Sequence, residues 1–143
     1  FNVLPQIDSM QDNGYTREEM KMVWETQNMF EDPDVRVNAT AVRVPVFYGH
    51  SEAVHIETRS PISVERVREL LDEAPGVEVM EGEGMIHPTA VTHGAVTDPV
   101  FVGRLRRDIS HPNAIDMWVI ADTIRKGAAL NAVQIMDWLR DNC

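Results

Sequence analysis

Arg43 and His50 bracket the stretch RVPVFYGH, an apolar, β-branched run that stops at Gly49 and hands the next position to a histidine. A guanidinium is a planar fork that suits a carboxylate. A histidine titrates nearest neutrality of all side chains, so one placed in a turn can act as general acid and base. Each has a plainer reading: Arg43 as an ordinary arginine at a sheet edge, His50 as a solvated turn residue. Glu18, Lys21 and Glu25 lie at three- and four-residue intervals, the spacing of an ion-pair ladder along an exposed helix face. His50, Glu52 and His55 are metal-ligand types. On a strand, however, the first two share a face and the third points the other way, so they do not converge locally. Lys126-Gly127 could approach a phosphate but lacks the preceding glycine-rich loop of a P-loop. Cys143 is the final residue given; a cysteine on a frayed end has no fixed partner and makes a poor nucleophile.

These residues must be positioned by an alternation of helices and strands. Thr16 and Glu19 form a T-x-x-E capping box after the Asn13-Gly14 turn, which predicts a helix from about Arg17 to Phe30, with Met20, Val23, Trp24 and Gln27 at helical spacing. The segment VRVNATAVRVPVF, residues 35–47, reads as a long strand, with Pro45 marking an edge or bulge. AVHIET reads as a second strand. The spacing then predicts a helix capped near Ser63 and stopped at Pro75-Gly76, with Val64, Val67, Leu70 and Leu71 facing a core. VEVM, VFVGRLRR and IDMWVIA read as further strands, residues 81–99 as a long irregular loop, and residues 123–140 as a closing helix. Several connections are too short for a crossover helix. The expected fold is therefore α+β: a mixed, mainly antiparallel sheet with helices on one face.

At 143 residues, 43% hydrophobic and 25% charged, the chain is long enough for a real core. Its net charge of −10, from 13 basic and 23 acidic residues, argues against nucleic acid or an anionic membrane as the main partner, though a few local cations suffice for a small anion. A single terminal cysteine allows no internal disulfide and suits a reducing compartment, so a cytoplasmic location is expected. No run is long and apolar enough to span a bilayer, and no leader pattern is visible at the start. The first residue is Phe1 rather than Met, so these residues need not be the whole polypeptide.

Taken together and in order, FNVLPQID, GYTREEMKMVWET, VRVPVFYGHSEAVHIET, PISVERVRELLDEAPGV, VFVGRLRRD and IRKGAALNAVQI resemble aspartate-β-semialdehyde dehydrogenase. The combination of RVPVFYGHSEAVHIE with EEMKM upstream is highly specific. The likeness covers essentially the whole chain and weakens only across 81–99 and after Met136. It implies a substrate-binding and dimerisation domain over 1–122 and, over 123–143, a last helix that returns to a nucleotide-binding domain. That domain lies outside these residues. The implied fold is that of the C-terminal domain of glyceraldehyde-3-phosphate dehydrogenase-like enzymes.

The resemblance also implies roles. His50 would be the acid/base, Arg43 would hold the substrate carboxylate, Lys21 would bind phosphate, and Glu18 would help hold the substrate amino group. Thr123, with Asn131 as a weaker candidate, would meet the nicotinamide end of NADP. The implied reaction interconverts aspartate semialdehyde, phosphate and NADP⁺ with β-aspartyl phosphate and NADPH, through attack of a cysteine thiolate. It belongs to the biosynthesis of lysine, threonine and methionine. A homodimer formed through the sheet is expected, with no nucleic-acid or membrane partner and no metal. There are two departures from the family pattern. The Asn-Cys-x-Thr motif of the nucleophile does not occur in this chain, and Thr123 stands where Asn or Gln is common. The other class of reading is a module that only dimerises and has no activity of its own.

Overall fold

Thr16 and Glu19 close the expected capping box: the Thr16 hydroxyl accepts from the Glu19 N–H at 3.2 Å, and the Glu19 carboxylate accepts from the Thr16 N–H at 2.8 Å. Two of the helix's otherwise orphaned donors are thereby satisfied, and α1 runs from there over Arg17–Met29. The computed structural model describes residues 1–80 and 87–143, and the chain forms two compact units, Phe1–Pro45 and Val46–Cys143.

In the first unit the long strand expected over 35–47 does not form. Its alternation survives, since Val35, Val37, Ala39 and Ala41 are partly buried while Arg36, Asn38, Thr40 and Val42 are exposed. Among the described residues no strand pairs with it, and β-branched residues do not make a strand without a neighbour. Side chains of α1 and the turn before it hold this extended segment instead. Glu19 accepts from the Ala41 N–H at 2.8 Å, Gln27 donates to the Val35 carbonyl at 3.0 Å, and the Tyr15 hydroxyl bonds Asn38 at 3.1 Å. The one sheet-like contact of Arg43 is a two-way backbone bridge to Leu4, at 2.9 and 3.0 Å.

The second unit is built on a four-stranded sheet: β1 (His50–Glu57), β2 (Val77–Met80), β3 (Val100–Arg107) and β4 (Ala114–Ala121), in the order β1-β4-β3-β2. β4 is antiparallel to both its neighbours, and β2 is parallel to β3. The expected mixed, mainly antiparallel sheet is therefore present. β3 carries one extra residue between Gly103 and Arg106, with Arg104 in the left-handed region at φ 53°, the signature of a bulge.

On one face of the sheet Val102, Leu105, Ile115 and Met117 form the core, sealed by Val64, Val67 and Leu71 of α2 (Val64–Asp72). Ser63 caps this helix as expected, its hydroxyl accepting from the Arg66 N–H at 3.1 Å. Leu70, expected to face the core, is exposed: it lies about 100° around the helix from Leu71 and about 120° from Val64, at the edge of the buried stripe.

The opposite face is covered by residues 87–99, the described part of the expected irregular loop. Pro88, Ala90 and Gly94 are buried there, the Trp118 indole donates to the Pro88 carbonyl at 3.1 Å, and His93 meets the Phe101 ring edge-on at 5.2 Å. The remainder of that loop, 81–86, lies outside the described residues.

After β4 a π-helical turn over Arg125–Ala129 leads into α3, Leu130–Asn142. The expected single helix thus has a wide first turn, with Gly127 and Ala129 donating to carbonyls five residues back. No helix among the described residues is long and apolar enough to cross a membrane.

Candidate functional site

In the first unit, the three-residue spacing of Glu18 and Lys21 puts both on one side of α1, where Lys21 Nζ lies 3.0 Å from Glu18 Oε2. Both side chains remain about two-fifths exposed, at 38% and 42%. Such a pair contributes little to stability, so its charges remain available to a ligand at small cost. Arg43 is held by its backbone to Leu4 while its side chain is exposed. Beneath them Glu19 is buried, with both carboxylate oxygens occupied by backbone N–H groups. The N–H of Thr16, followed by that of Ala41, holds its acid below the usual carboxylate range.

In the second unit the question posed by Gly49 has a steric answer. Its φ is +81°, and a Cβ there would stand 2.7 Å from the Gly94 carbonyl oxygen and 3.2 Å from that of Ala121. Only glycine fits. The tight approach delivers His50 as the first residue of β1, paired with Ala121. His50 therefore opens a strand, where the sequence had suggested a turn closing one. The preceding residues pair with no strand, so the run through Phe47 never builds the sheet that a turn would have ended.

His50 is 62% exposed, with Nδ1 4.0 Å from Glu52 Oε1 on the same face of β1. Both line a cleft of about 230 Å³ whose other walls are Ala121, Asp122, Thr123, Lys126 and Gly127. A proton-transfer group, a carboxylate, a hydroxyl and an ammonium group thus share one hollow. Asp122 is the residue that shapes it. Although buried, it accepts from the N–H groups of Ile124, Arg125 and Val96 at 2.7, 3.0 and 2.8 Å. Those of Arg125 and Val96 contribute most to holding its acid below the usual range. Its Oδ1 accepts from the two N–H groups that follow Thr123 and so fixes the turn on which Thr123 stands.

Thr123 and His50 therefore come together, though 73 positions separate them. Asn131 does not join them. It lines a second cleft of about 490 Å³ with Pro75, Gly76, Gln134, Ile135 and Trp138, and Lys126 borders both hollows. In the first cleft the Thr123 hydroxyl and Lys126 ammonium are suitable donors for a carboxamide or an anion.

Asp122 was not singled out from the sequence, where Glu52 was weighed only as a metal ligand and Lys126 only as a phosphate contact, and neither was assigned to a site. The signal for Asp122 was present, an aspartate immediately before the helical run, where a cap belongs.

His55 faces away from His50, as the strand period requires. Its Nδ1 lies 2.9 Å from Asp116 and 3.6 Å from Asp108, and its Nε2 3.6 Å from Glu57. Asp116 is the main cause that raises the His55 pKa. Among the described residues, His55, Asp108 and Asp116 are the set whose ligand atoms lie close enough to share a metal ion, within 4.8 Å. The acids are already engaged: Asp116 by Arg106 at 3.5 Å, and Asp108 by the Ser110 hydroxyl and the Ser110 and His111 N–H groups. The arrangement is an ion-pair network joining β1, β4 and the β3–β4 turn.

The architecture, a mixed sheet with α2 on one face and the site at the joint between β1 and the last helix, is that of the C-terminal domain of glyceraldehyde-3-phosphate dehydrogenase-like enzymes. Residues 1–126 match the family described as semialdehyde dehydrogenase, dimerisation domain. The aspartate-semialdehyde dehydrogenase of Shewanella violacea is 63% identical over 139 residues, 97% of this chain and 41% of that protein. The crystal structure of aspartate semialdehyde dehydrogenase II from Vibrio cholerae is 56% identical with a TM-score of 0.94, covering 99% of this chain and 42% of that one. A second structure from Vibrio cholerae, complexed with ASA, has a TM-score of 0.93 over the same shares. The Candida albicans enzyme, determined with NADP, shares the fold at 24% identity, a TM-score of 0.64 and 85% of this chain, 39% of its own. The chain belongs to the semialdehyde dehydrogenase family, as its dimerisation domain. It spans about two-fifths of the length of the curated relatives it matches.

Proposed function

We propose that this chain is the substrate-binding and dimerisation part of an aspartate-semialdehyde dehydrogenase, which reversibly and reductively dephosphorylates β-aspartyl phosphate to aspartate semialdehyde on the route to lysine, threonine and methionine. The observation that carries the reading is that His50 and Thr123, one expected at the proton-transfer step and the other at the cofactor, line one cleft. The names of the relatives, the ASA bound in the Vibrio cholerae structure and the NADP in the Candida albicans structure support it.

In this reading His50 holds and returns the proton of the reacting carbonyl oxygen from an exposed position at the start of β1. Arg43 grips the substrate carboxylate with its fork, Lys21 holds the phosphate, and Glu18 takes the substrate ammonium group. Thr123 meets the nicotinamide end of NADP, which supplies or accepts the hydride. Asn131, in the neighbouring cleft, serves a part of the cofactor more remote than its nicotinamide end. The nucleophilic cysteine belongs to the rest of the polypeptide, since the one cysteine here is Cys143. The 143 residues alone therefore transfer no hydride, retain weak affinity for phosphate and aspartate-like anions, and form a homodimer through the sheet. Residues 123–143 serve the nucleotide-binding half.

Kinetics of the full-length protein test the assignment. His50→Asn should lower kcat by a factor on the order of 10²–10³ with little change in KM. Arg43→Ala and Lys21→Ala should mainly raise KM for aspartate semialdehyde and for phosphate respectively. An unchanged kcat in His50→Asn would remove the acid/base role.

A further inference from the structure

We propose that Glu19 is a positioning residue for the substrate-binding set, a buried carboxylate clamp that fixes the segment bearing Arg43 against the helix bearing Glu18 and Lys21. The inference rests on the functional reading above and extends it to a residue with no expected contact with substrate.

A capping box needs one oxygen from its glutamate, which returns to the N-cap N–H. Glu19 Oε2 does this on Thr16. Its other oxygen, Oε1, reaches 22 positions along the chain to the Ala41 N–H at 2.8 Å. The side chain is 7% exposed, so this bond is made away from competing water.

Among the described residues no strand pairs with 35–43, and the segment is also fastened by Gln27 at Val35, Tyr15 at Asn38 and Leu4 at Arg43. Gln27 and Glu19 fasten opposite ends of the segment to opposite ends of α1. At the Glu19 end, Arg43 lies two positions beyond Ala41, and Glu18 and Lys21 lie one and two positions from Glu19. One buried group therefore ties the segment bearing Arg43, for the substrate carboxylate, to the helix bearing Glu18 and Lys21, for its ammonium and phosphate groups. Misplacement of such groups by about an ångström costs far more in catalysis than in stability.

A carboxylate is specifically required. Two N–H donors converge on the side chain, and a glutamine would answer one of them with an oxygen and set its own NH₂ against the other.

The test uses full-length enzyme assayed well below the unfolding transition of every variant. Glu19→Gln is expected to raise KM for aspartate semialdehyde about tenfold, with a smaller loss of kcat and an unchanged KM for NADP. Thr16→Ala removes the hydroxyl of the same capping box but leaves both Glu19 oxygens bonded. It should lower Tm while holding that KM within about twofold. Ala41→Pro deletes the N–H that Glu19 receives and leaves the capping box intact, so it should reproduce the KM rise even where Glu19→Gln fails to fold.

An unchanged KM in both Glu19→Gln and Ala41→Pro overturns the proposal, as does an equal rise in Thr16→Ala, which would trace the effect to the helix cap alone. If Arg43→Ala and Lys21→Ala raise KM while the two clamp variants do not, only the role of Glu19 falls. If Arg43→Ala and Lys21→Ala have no effect, the substrate assignment falls and takes the clamp with it.

Discussion

Asp122 and His55 show how single ionisable residues tie this domain together, and they respond to pH in opposite senses. The folded acids of Asp122 and Glu19 are lowered by the backbone N–H groups they accept. Their contribution is complete above the unfolded carboxylate value of about 4 and is lost as pH falls through the lower folded value. His55 is raised, first by its bond to Asp116. Its contribution is complete below the unfolded value of about 6.5 and is lost as pH rises through the higher folded value. A Tm scan of the full-length protein should therefore show a decline as pH rises above about 6.5 that disappears in His55→Gln, while the acid-side decline remains. An alkaline decline that persists in the variant would show that another group causes it. Asp122→Ala removes the acceptor of three backbone donors, so amide exchange at residues 124–126 should speed up ahead of the sheet.

At the level of elements, two glycines and one serine determine where chain segments meet. Gly103 lies in β3 where an added Cβ would come 2.6 Å from Pro88 Cδ and 3.4 Å from the Met80 carbonyl. Gly103→Ala should cost roughly 1–3 kcal/mol by forcing the 87–99 segment off the sheet. Gly49→Ala adds left-handed strain to a 2.7 Å clash with Gly94, for a total on the order of 2–4 kcal/mol. Because Gly49 precedes His50, that variant should also lower kcat, whereas Gly103→Ala should not. Ser63→Ala, which removes only the cap of α2, should cost about 1 kcal/mol with kinetics intact. Chemical denaturation together with steady-state assays separates the three. The capped helices were legible in the sequence because a cap is local. The strand expected over 35–47 was not, because strand formation depends on a neighbour that the local pattern does not contain.

For the molecule as a whole, the exposed apolar residues matter most. Ile135, Met136, Trp138 and Leu139 of α3 are 52%, 61%, 62% and 48% exposed, a large apolar face for a helix. If this helix serves the nucleotide-binding half, amides 125–136 should exchange quickly in the 143-residue chain and slowly in the full-length protein. Strong protection in the short chain would mean that the helix has its complete packing within this domain. Sedimentation addresses the proposed dimer, with a species near twice 16.2 kDa expected for the short chain; a monodisperse monomer at high micromolar concentration would count against a dimer held by this domain alone.

The sequence by itself determined what is written locally. The capping box of α1, the Ser63 cap of α2, the strand period that sets His50 and His55 on opposite faces, the breakers at Pro75-Gly76 and the mainly antiparallel character implied by short connections all follow from a few neighbouring residues. Its motifs also carried the family likeness. Tertiary structure decided what depends on distant partners. It brought His50 and Thr123 into one cleft, turned the 87–99 loop into cover for the second face of the sheet, and replaced a missing strand partner with the side chains of Glu19, Gln27 and Tyr15. The physical reason is the range of the interactions. A helix cap is satisfied within four residues, whereas a backbone N–H in an extended segment must find its acceptor elsewhere in the chain, and the local pattern alone does not say where.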